Sequence, residues 1–199
     1  MKKGDYLLKD NFILLALDPS YTQTGWSVLQ VEKIKSNFKD FTVKIIDYGI
    51  IPIIDKNNIG KSLLHINDIL EQICTKYTID YACTENCFAG SNRLTIQRLS
   101  QVHGVIRMTM AKFNIDIKYY AVMTAKKSVL EKLTLKKENG EKKTGQDLKE
   151  EVANKIFEIF KGYKFENITN DVTDAISIGL CFLDHNGEEL EKKKKKKKK

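Results

Sequence analysis

The feature that most constrains the fold is an unbroken apolar run, residues 12–17, which ends on the carboxylate of Asp18. Six consecutive apolar residues have the length of a β-strand, and a strand without alternating polar positions is typical of a sheet interior. The run therefore predicts a buried strand over residues 11–18. It also places an acid where that strand ends.

The rest of the chain alternates between strand and helix periodicity. Two further strands, over residues 26–34 and 41–51, predict an antiparallel meander with the first, whereas later strands separated by helices predict parallel crossovers. We therefore expect an α/β protein with a mixed five-stranded sheet flanked by helices. The later elements are a helix over 59–77, a strand over 79–85, a helix over 93–113, a strand over 115–122, a helix capped by Thr124, a loop over 135–146, a helix capped by Asp147, and a helix over 171–182.

The length of 199 residues suits one domain, which we place at residues 1–191. Residues 192–199 are eight consecutive lysines, and we expect a disordered tail there because like charges repel and bury nothing. No apolar stretch approaches the roughly 18 residues of a membrane span, and residues 1–5 do not resemble a secretory signal. The sequence therefore predicts a cytoplasmic protein without a membrane partner.

The net charge of +8 comes from the lysine run, since the other 26 Lys and Arg residues balance 26 Asp and Glu residues. The remaining charge is segregated, with an excess of basic residues over 93–149 and of acidic residues over 150–191. This pattern predicts a phosphate-binding face beside carboxylates that are free for another role, unless the two blocks interleave in space. The four cysteines lack zinc-ligand spacing, and neither zinc nor disulfides are expected.

Four acids occupy positions that favour catalysis. Asp18 and Glu85 end two predicted strands, and Asp171 and Asp174 lie three residues apart on one helix face. Each alone has a structural explanation as a turn, strand-end or helix N-terminal acid. Together they predict a site for Mg²⁺, for which Mn²⁺ substitutes, with two ions that clamp a phosphodiester for attack by water.

Four segments together resemble the RuvC family of Holliday junction resolvases. In chain order they are LDPSYTQTGW at 17–26, ENCF at 85–88, LSQVHGV at 99–105 and DVTDA at 171–175. The resemblance extends over about residues 14–183 and implies an RNase H-like fold with Asp18, Glu85, Asp171 and Asp174 as metal-binding catalytic acids. It further implies a homodimer, packed through the helix of Gly104, that cuts four-way DNA junctions symmetrically and leaves 5′-phosphate and 3′-hydroxyl ends.

The resemblance also indicates residues that bind DNA. Phe88 matches an aromatic residue that stacks at the junction, although a core position is the alternative interpretation of this side chain. Several basic residues, which lie near the positions of the family's phosphate contacts, complete the predicted interface. The alternative interpretation is that these side chains are simply solvated charges. These residues are Arg93, Lys126, Lys127, Lys142 and Lys143.

The chain departs from the family pattern at Ser20, where a glycine is usual, and in longer stretches at 135–146 and 162–169. These differences favour a phage-type or low-GC bacterial member. Alternative functions are an RNase H-like nuclease that acts on hybrids or flaps, and a protein that binds branched DNA without cutting it. A phosphotransferase of the actin-like fold would need glycine-rich nucleotide loops, which the sequence lacks. No small-molecule cofactor is expected.

Overall fold

The computed structural model describes residues 8–33, 41–86, 93–130, 133–137 and 141–197. Within them, a five-stranded sheet is flanked by helices on both faces, as the sequence predicts. The elements are β1 (Asn11–Pro19), β2 (Gln23–Lys33), β3 (Phe41–Pro52), α1 (Ile59–Tyr77), β4 (Tyr81–Glu85), α2 (Arg93–Lys112), β5 (Ile117–Tyr120), α3 (Val122–Val129), α4 (Gly145–Ile159) and α5 (Asn170–Lys197).

The strand order is β3-β2-β1-β4-β5. The first three strands form an antiparallel meander, whereas β4 is parallel to both β1 and β5. Strand β1 is therefore central, which accounts for its unbroken apolar sequence. Its alternate residues contribute to two separate cores, because Leu15 and Leu17 pack with α1 and α2 while Leu14 and Ala16 pack with α3, α4 and α5.

Three helix ends differ from the sequence-based expectations. Helix α3 begins at Val122, and its N-cap Ala121 makes no side-chain bond, so Thr124 is not the cap. In α4, Thr144 is the N-cap and Asp147 completes a capping box at the third position, where each side chain binds the other's backbone N–H. Helix α5 continues to Lys197, where we expected a disordered tail from Lys192. Lysine has good helix propensity and favours the negative C-terminal end of a helix dipole.

The β1–β2 turn is organised by Ser20, at the position where the RuvC pattern usually has glycine. Its hydroxyl donates to the carbonyl oxygen of Gln23 over 2.7 Å and accepts from the backbone N–H groups of Thr22 and Gln23. Serine thus forms this turn without the left-handed backbone that glycine permits. None of the described helices is long and apolar enough to span a bilayer.

Candidate active site

The first two predicted acids meet at the carboxyl ends of neighbouring parallel strands. The β1–β4 register pairs Leu17 with Thr84, and Asp18 and Glu85 follow this pair by one residue each. Their carboxyl groups share a hydrogen bond. Asp18 is buried, with 7% of its surface exposed, and Glu85 is partly buried.

The other two acids reach the same place from the first turns of α5. Gly25 makes this possible, because it is paired with Asp18 on β2 and lies directly beneath the start of α5. A Cβ atom added to Gly25 would lie 2.5 Å from the carbonyl carbon of Asp171 and 2.9 Å from its Cβ atom. The absence of a side chain at Gly25 therefore lets α5 bring Asp171 and Asp174 close to the end of β1.

Burial, and then repulsion by neighbouring carboxylates, raises the pKa of two of these acids, Asp18 and Glu85. Burial raises the pKa of Asp18 well above its usual value, and the negative charges of Asp174 and Glu85 raise it further. The pKa of Glu85 is also raised, first by burial, although its hydrogen bond with Asp18 and the lysine charges nearby oppose the rise. A group of acids that disfavour one another's ionisation is expected where cations complete the site.

Two lysines lie among these acids. The Nζ atom of Lys149, on α4, lies 3.1 Å from Oδ2 of Asp174 and 3.9 Å from Oδ1 of Asp171. Burial lowers the pKa of Lys149, but the charges of Asp174, Asp18 and Asp171 outweigh it and leave this pKa raised. Lys126, on α3, is buried and its charge acts on Glu85. The site therefore contains its own compensating positive charge.

The four carboxylates are chemically suited to bind a hard cation. Their present arrangement, however, is not that of a metal site. Carboxylate oxygens are the ligands that Mg²⁺ prefers. Among the described residues, however, no group of three or more His, Cys, Asp or Glu side chains is arranged to hold a metal ion. Asp174 is instead paired with Lys149, and Asp171 accepts a hydrogen bond from Nε2 of Gln23. Metal binding at these acids requires their side chains to turn away from these partners.

An aromatic cluster attaches the connection between α4 and α5 to the sheet. The rings of Tyr48, Phe157, Tyr163 and Phe165 contact one another at centroid distances of 4.9 to 6.3 Å. The Tyr48 hydroxyl also donates to the carbonyl oxygen of Glu166 over 3.0 Å and accepts from its N–H over 2.7 Å. Residues 162–169, a stretch longer than is usual in the family pattern, are thus fixed to β3 just before Asp171.

The predicted DNA-binding residues occupy different environments. Arg93 is exposed at the start of α2, and Lys127 is exposed on α3, whereas Lys126 is buried and its charge acts on Glu85. Lys142 is exposed, but Lys143 is mostly buried, paired with Glu151 and donating to Oγ1 of Thr134. Phe88 lies outside the described residues, so its stacking role stays a prediction from the sequence.

Comparison with known proteins identifies the family. The family model described as crossover junction endodeoxyribonuclease RuvC matches residues 14–182. The chain belongs to the RuvC family. RuvC of Ehrlichia canis (strain Jake) is 31% identical over 172 residues, which cover 84% of this chain and 94% of that protein. RuvC of Ehrlichia ruminantium (strain Welgevonden) is 28% identical over 177 residues, covering 85% and 95%.

Solved RuvC structures share the fold. Thermus thermophilus RuvC in complex with a Holliday junction substrate aligns with a TM-score of 0.66 at 15% identity, covering 85% of this chain and 91% of that one. A second structure of Thermus thermophilus RuvC gives a TM-score of 0.64 at 15% identity, covering 85% and 92%. The RNase H-like fold predicted from the sequence is therefore confirmed. The phage-type or low-GC subtype stays a prediction.

Lys149 is a site residue that the sequence did not predict. Its acidic partners are more than 20 residues away along the chain, and only the packing of α4 against α5 brings them together. A signal was nevertheless present, because Lys149 follows the buried Leu148 in a helix whose other charges near it are acidic. A lone lysine beside a predicted core position is a candidate partner for buried acids.

Proposed function

We propose that the chain cleaves four-way DNA junctions as a homodimer, by divalent-metal-dependent hydrolysis that leaves 5′-phosphate and 3′-hydroxyl ends. The observation that carries this proposal is the meeting of four carboxylates and two lysines at one edge of an RNase H-like sheet. The Thermus thermophilus RuvC that shares this fold was solved with a Holliday junction substrate, which supports DNA of this shape as the substrate.

Asp18, Glu85, Asp171 and Asp174 would hold two Mg²⁺ ions, for which Mn²⁺ substitutes. Bound divalent ions of this kind supply a water of lowered pKa and stabilise negative charge on a phosphodiester. Asp18 and Glu85 would lose their shared proton, since a ligating carboxylate must be ionised. Burial of Asp18 keeps bulk water from weakening its interaction with a cation.

The two lysines would change partners when metal and DNA arrive. In the present arrangement Lys149 neutralises Asp174, a role that bound cations make unnecessary. Its ammonium group would donate to an oxygen of the scissile phosphate, and Lys126, whose charge acts on Glu85, would add a second positive charge. Both lysines would thus hold the phosphate against the acids.

The outward face of α2 supports the homodimer. Leu94 and Met108 are exposed, at 54% and 59%, although both are large and apolar. Gly104 lies between them on the helix, and a Cβ atom added there would meet nothing within 4 Å. A small residue between exposed apolar side chains allows a second helix to approach closely. A second copy of α2 is the partner that the family resemblance implies.

The decisive experiment compares substrates. A synthetic four-way junction, a matched linear duplex, a flap and an RNA/DNA hybrid are incubated with the protein, with Mg²⁺ or with EDTA. We expect Mg²⁺-dependent cleavage of the junction alone or above all, with ligatable nicks that prove the 5′-phosphate and 3′-hydroxyl ends. Faster cleavage of hybrid or flap would favour another RNase H-like nuclease, and binding without cleavage would favour a non-catalytic DNA-binding protein; either result contradicts the proposal.

A further inference from the structure

Two rings of the aromatic cluster are only partly covered by the protein. Tyr163 and Phe157 keep 38% and 40% of their surfaces exposed, although each contacts the ring of Phe165. Single exposed apolar side chains are common, but neighbouring ones mark surfaces that bind a partner. The aromatic cluster therefore has ring surface to offer to a ligand.

The backbone around these rings is held in place. Gly162 turns the chain after α4 with a φ of +99°, a conformation that favours glycine, and the N–H of Tyr163 donates to the carbonyl oxygen of Phe160 over 2.9 Å. Further along the chain, the two bonds between Tyr48 and the backbone of Glu166 fix the segment to β3. A ring that is already fixed loses little conformational entropy when a ligand packs on it.

The same segment carries two exposed lysines. Lys161 and Lys164 flank the Gly-Tyr pair in the sequence KGYKF at 161–165, and neither forms an ion pair within the described part of the chain. Glu166 is the one acid over residues 161–169, so the local charge is positive. Aromatic rings beside basic groups are typical of surfaces that bind single-stranded nucleic acid, because bases stack on the rings while the cations follow the phosphates.

This surface borders the catalytic site on the side of β3. Ile50 pairs with Gly25, whose missing side chain lets Asp171 approach. Tyr48 lies two residues from Ile50, about 7 Å along the strand and on the same side of the sheet. Strands β2 and β1 separate β3 from β4, which Phe88 follows in the sequence. The surface is therefore next to the acids but apart from the stacking position predicted for Phe88.

We propose that this surface binds an unpaired strand of branched DNA, with a base stacked on Tyr163 and phosphates bound by Lys161 and Lys164. The inference rests on the proposed function, because the branched substrate supplies the strand. A base within a duplex is already stacked, and taking it out of the stack costs free energy. The surface therefore favours DNA whose strands have separated beside the acids.

The test measures binding in EDTA, so that it does not depend on cleavage. The probes are an oligo(dT) of about 12 nucleotides, a linear duplex and a four-way junction. The variants are Tyr163→Ala, which removes the ring, and Tyr163→Phe, which keeps it. Leu64→Ala is the control for loss of an exposed apolar side chain elsewhere, since Leu64 on α1 is 62% exposed.

We expect Tyr163→Ala to weaken binding of oligo(dT) by about fivefold or more, which is the lower end of the effect of losing one base–aromatic stack. Binding of the junction should weaken as well, whereas binding of the linear duplex should not change. Tyr163→Phe should bind every probe like the wild type, because stacking uses the ring and not the hydroxyl. Leu64→Ala should also match the wild type.

The two lysines provide a second test, which decides the matter if Tyr163→Ala does not fold. Lys161→Gln/Lys164→Gln should lower the slope of log K against log salt on oligo(dT) by about 0.7 for each lost phosphate contact. The matched control is Lys44→Gln/Lys56→Gln, which removes the same charge from two other exposed lysines and should keep the wild-type slope. An unchanged slope in the first variant, or an equal decrease in the control, would overturn the phosphate contacts.

The stacking role is wrong if Tyr163→Ala binds oligo(dT) or the junction like the wild type, if it loses as much affinity for the duplex, or if Tyr163→Phe loses as much as Tyr163→Ala. The cleavage assay separates these outcomes from failure of the proposed function. If the wild type cuts junctions while Tyr163→Ala binds oligo(dT) unchanged, only this inference is wrong. If Tyr163→Ala loses oligo(dT) but the wild type never cuts a junction, the binding surface holds and the proposed function is wrong.

Discussion

Replacing Gly25 by alanine should separate α5 from the acid on β1. The added Cβ atom would lie 2.5 Å from the carbonyl carbon of Asp171, against about 3.4 Å for an ordinary contact, and the neighbour is backbone that cannot rotate away. The first turn of α5 must therefore move by about 1 Å. Overpacking of this kind costs about 1 to 3 kcal/mol, which for a chain of this size lowers the melting temperature by about 2 to 12 °C.

The effect on catalysis should exceed the effect on stability. A displacement of about 1 Å at a reacting group costs roughly 100-fold in rate, and here it changes the spacing between Asp171 and Asp18. Cleavage of a four-way junction is measured below the melting temperature, with junction binding in EDTA as a check of folding. Gly145→Ala is the control, because a Cβ atom there meets nothing within 4 Å. A Gly25→Ala protein with wild-type melting and wild-type cleavage would refute the close-approach argument.

Three further substitutions test the site and the dimer. Asp18→Asn should abolish cleavage yet raise the melting temperature in EDTA at pH 7. The raised pKa of this buried acid means that it destabilises the fold only above its ordinary pKa of about 4. The gain in melting temperature should therefore vanish near pH 4. Lys149→Met should slow cleavage with Mg²⁺. It should also lower the melting temperature, and more in EDTA than with Mg²⁺, because without a cation Asp174 loses its only counter-charge among the described residues. An equal decrease of the melting temperature in EDTA and in Mg²⁺ would contradict the exchange of partners. Met108→Glu should give a monomer in sedimentation velocity, whereas Leu64→Glu, at a similarly exposed apolar residue on α1, should not.

The sequence predicted the sheet and its acids because both depend on local patterns. Helix α1 has the bounds that its apolar spacing indicates, and β1 was predicted from its unbroken apolar run. Asp18 and Glu85 follow from the rule that an acid after a buried strand lies at the sheet edge. The structure brings these two together with Asp171 and Asp174, as the spacing suggested.

What the sequence did not predict depends on contacts between distant segments or on competing local signals. The partner of Asp174 is Lys149, and nothing local connects them. The antiparallel pairing of Lys136 with Lys142 involves one position on each side, which is too short to produce an alternating pattern. Thr144 and Asp147 are both residue types that cap helices, and the Thr-x-x-Asp spacing resolves the choice only when it is recognised as a variant of the capping box.

Helix α5 also determines the distance between the four acids and the start of the lysine run. It begins at the four acids and continues into the lysine run, and between Asp171 and Lys192 it extends about 30 Å, at 1.5 Å per residue. This is nearly four times the screening distance of about 8 Å in physiological salt. A charge at that distance along the helix is therefore largely screened from the carboxylates by salt. Shortening the lysine run should therefore leave the acidity of the four carboxylates unchanged.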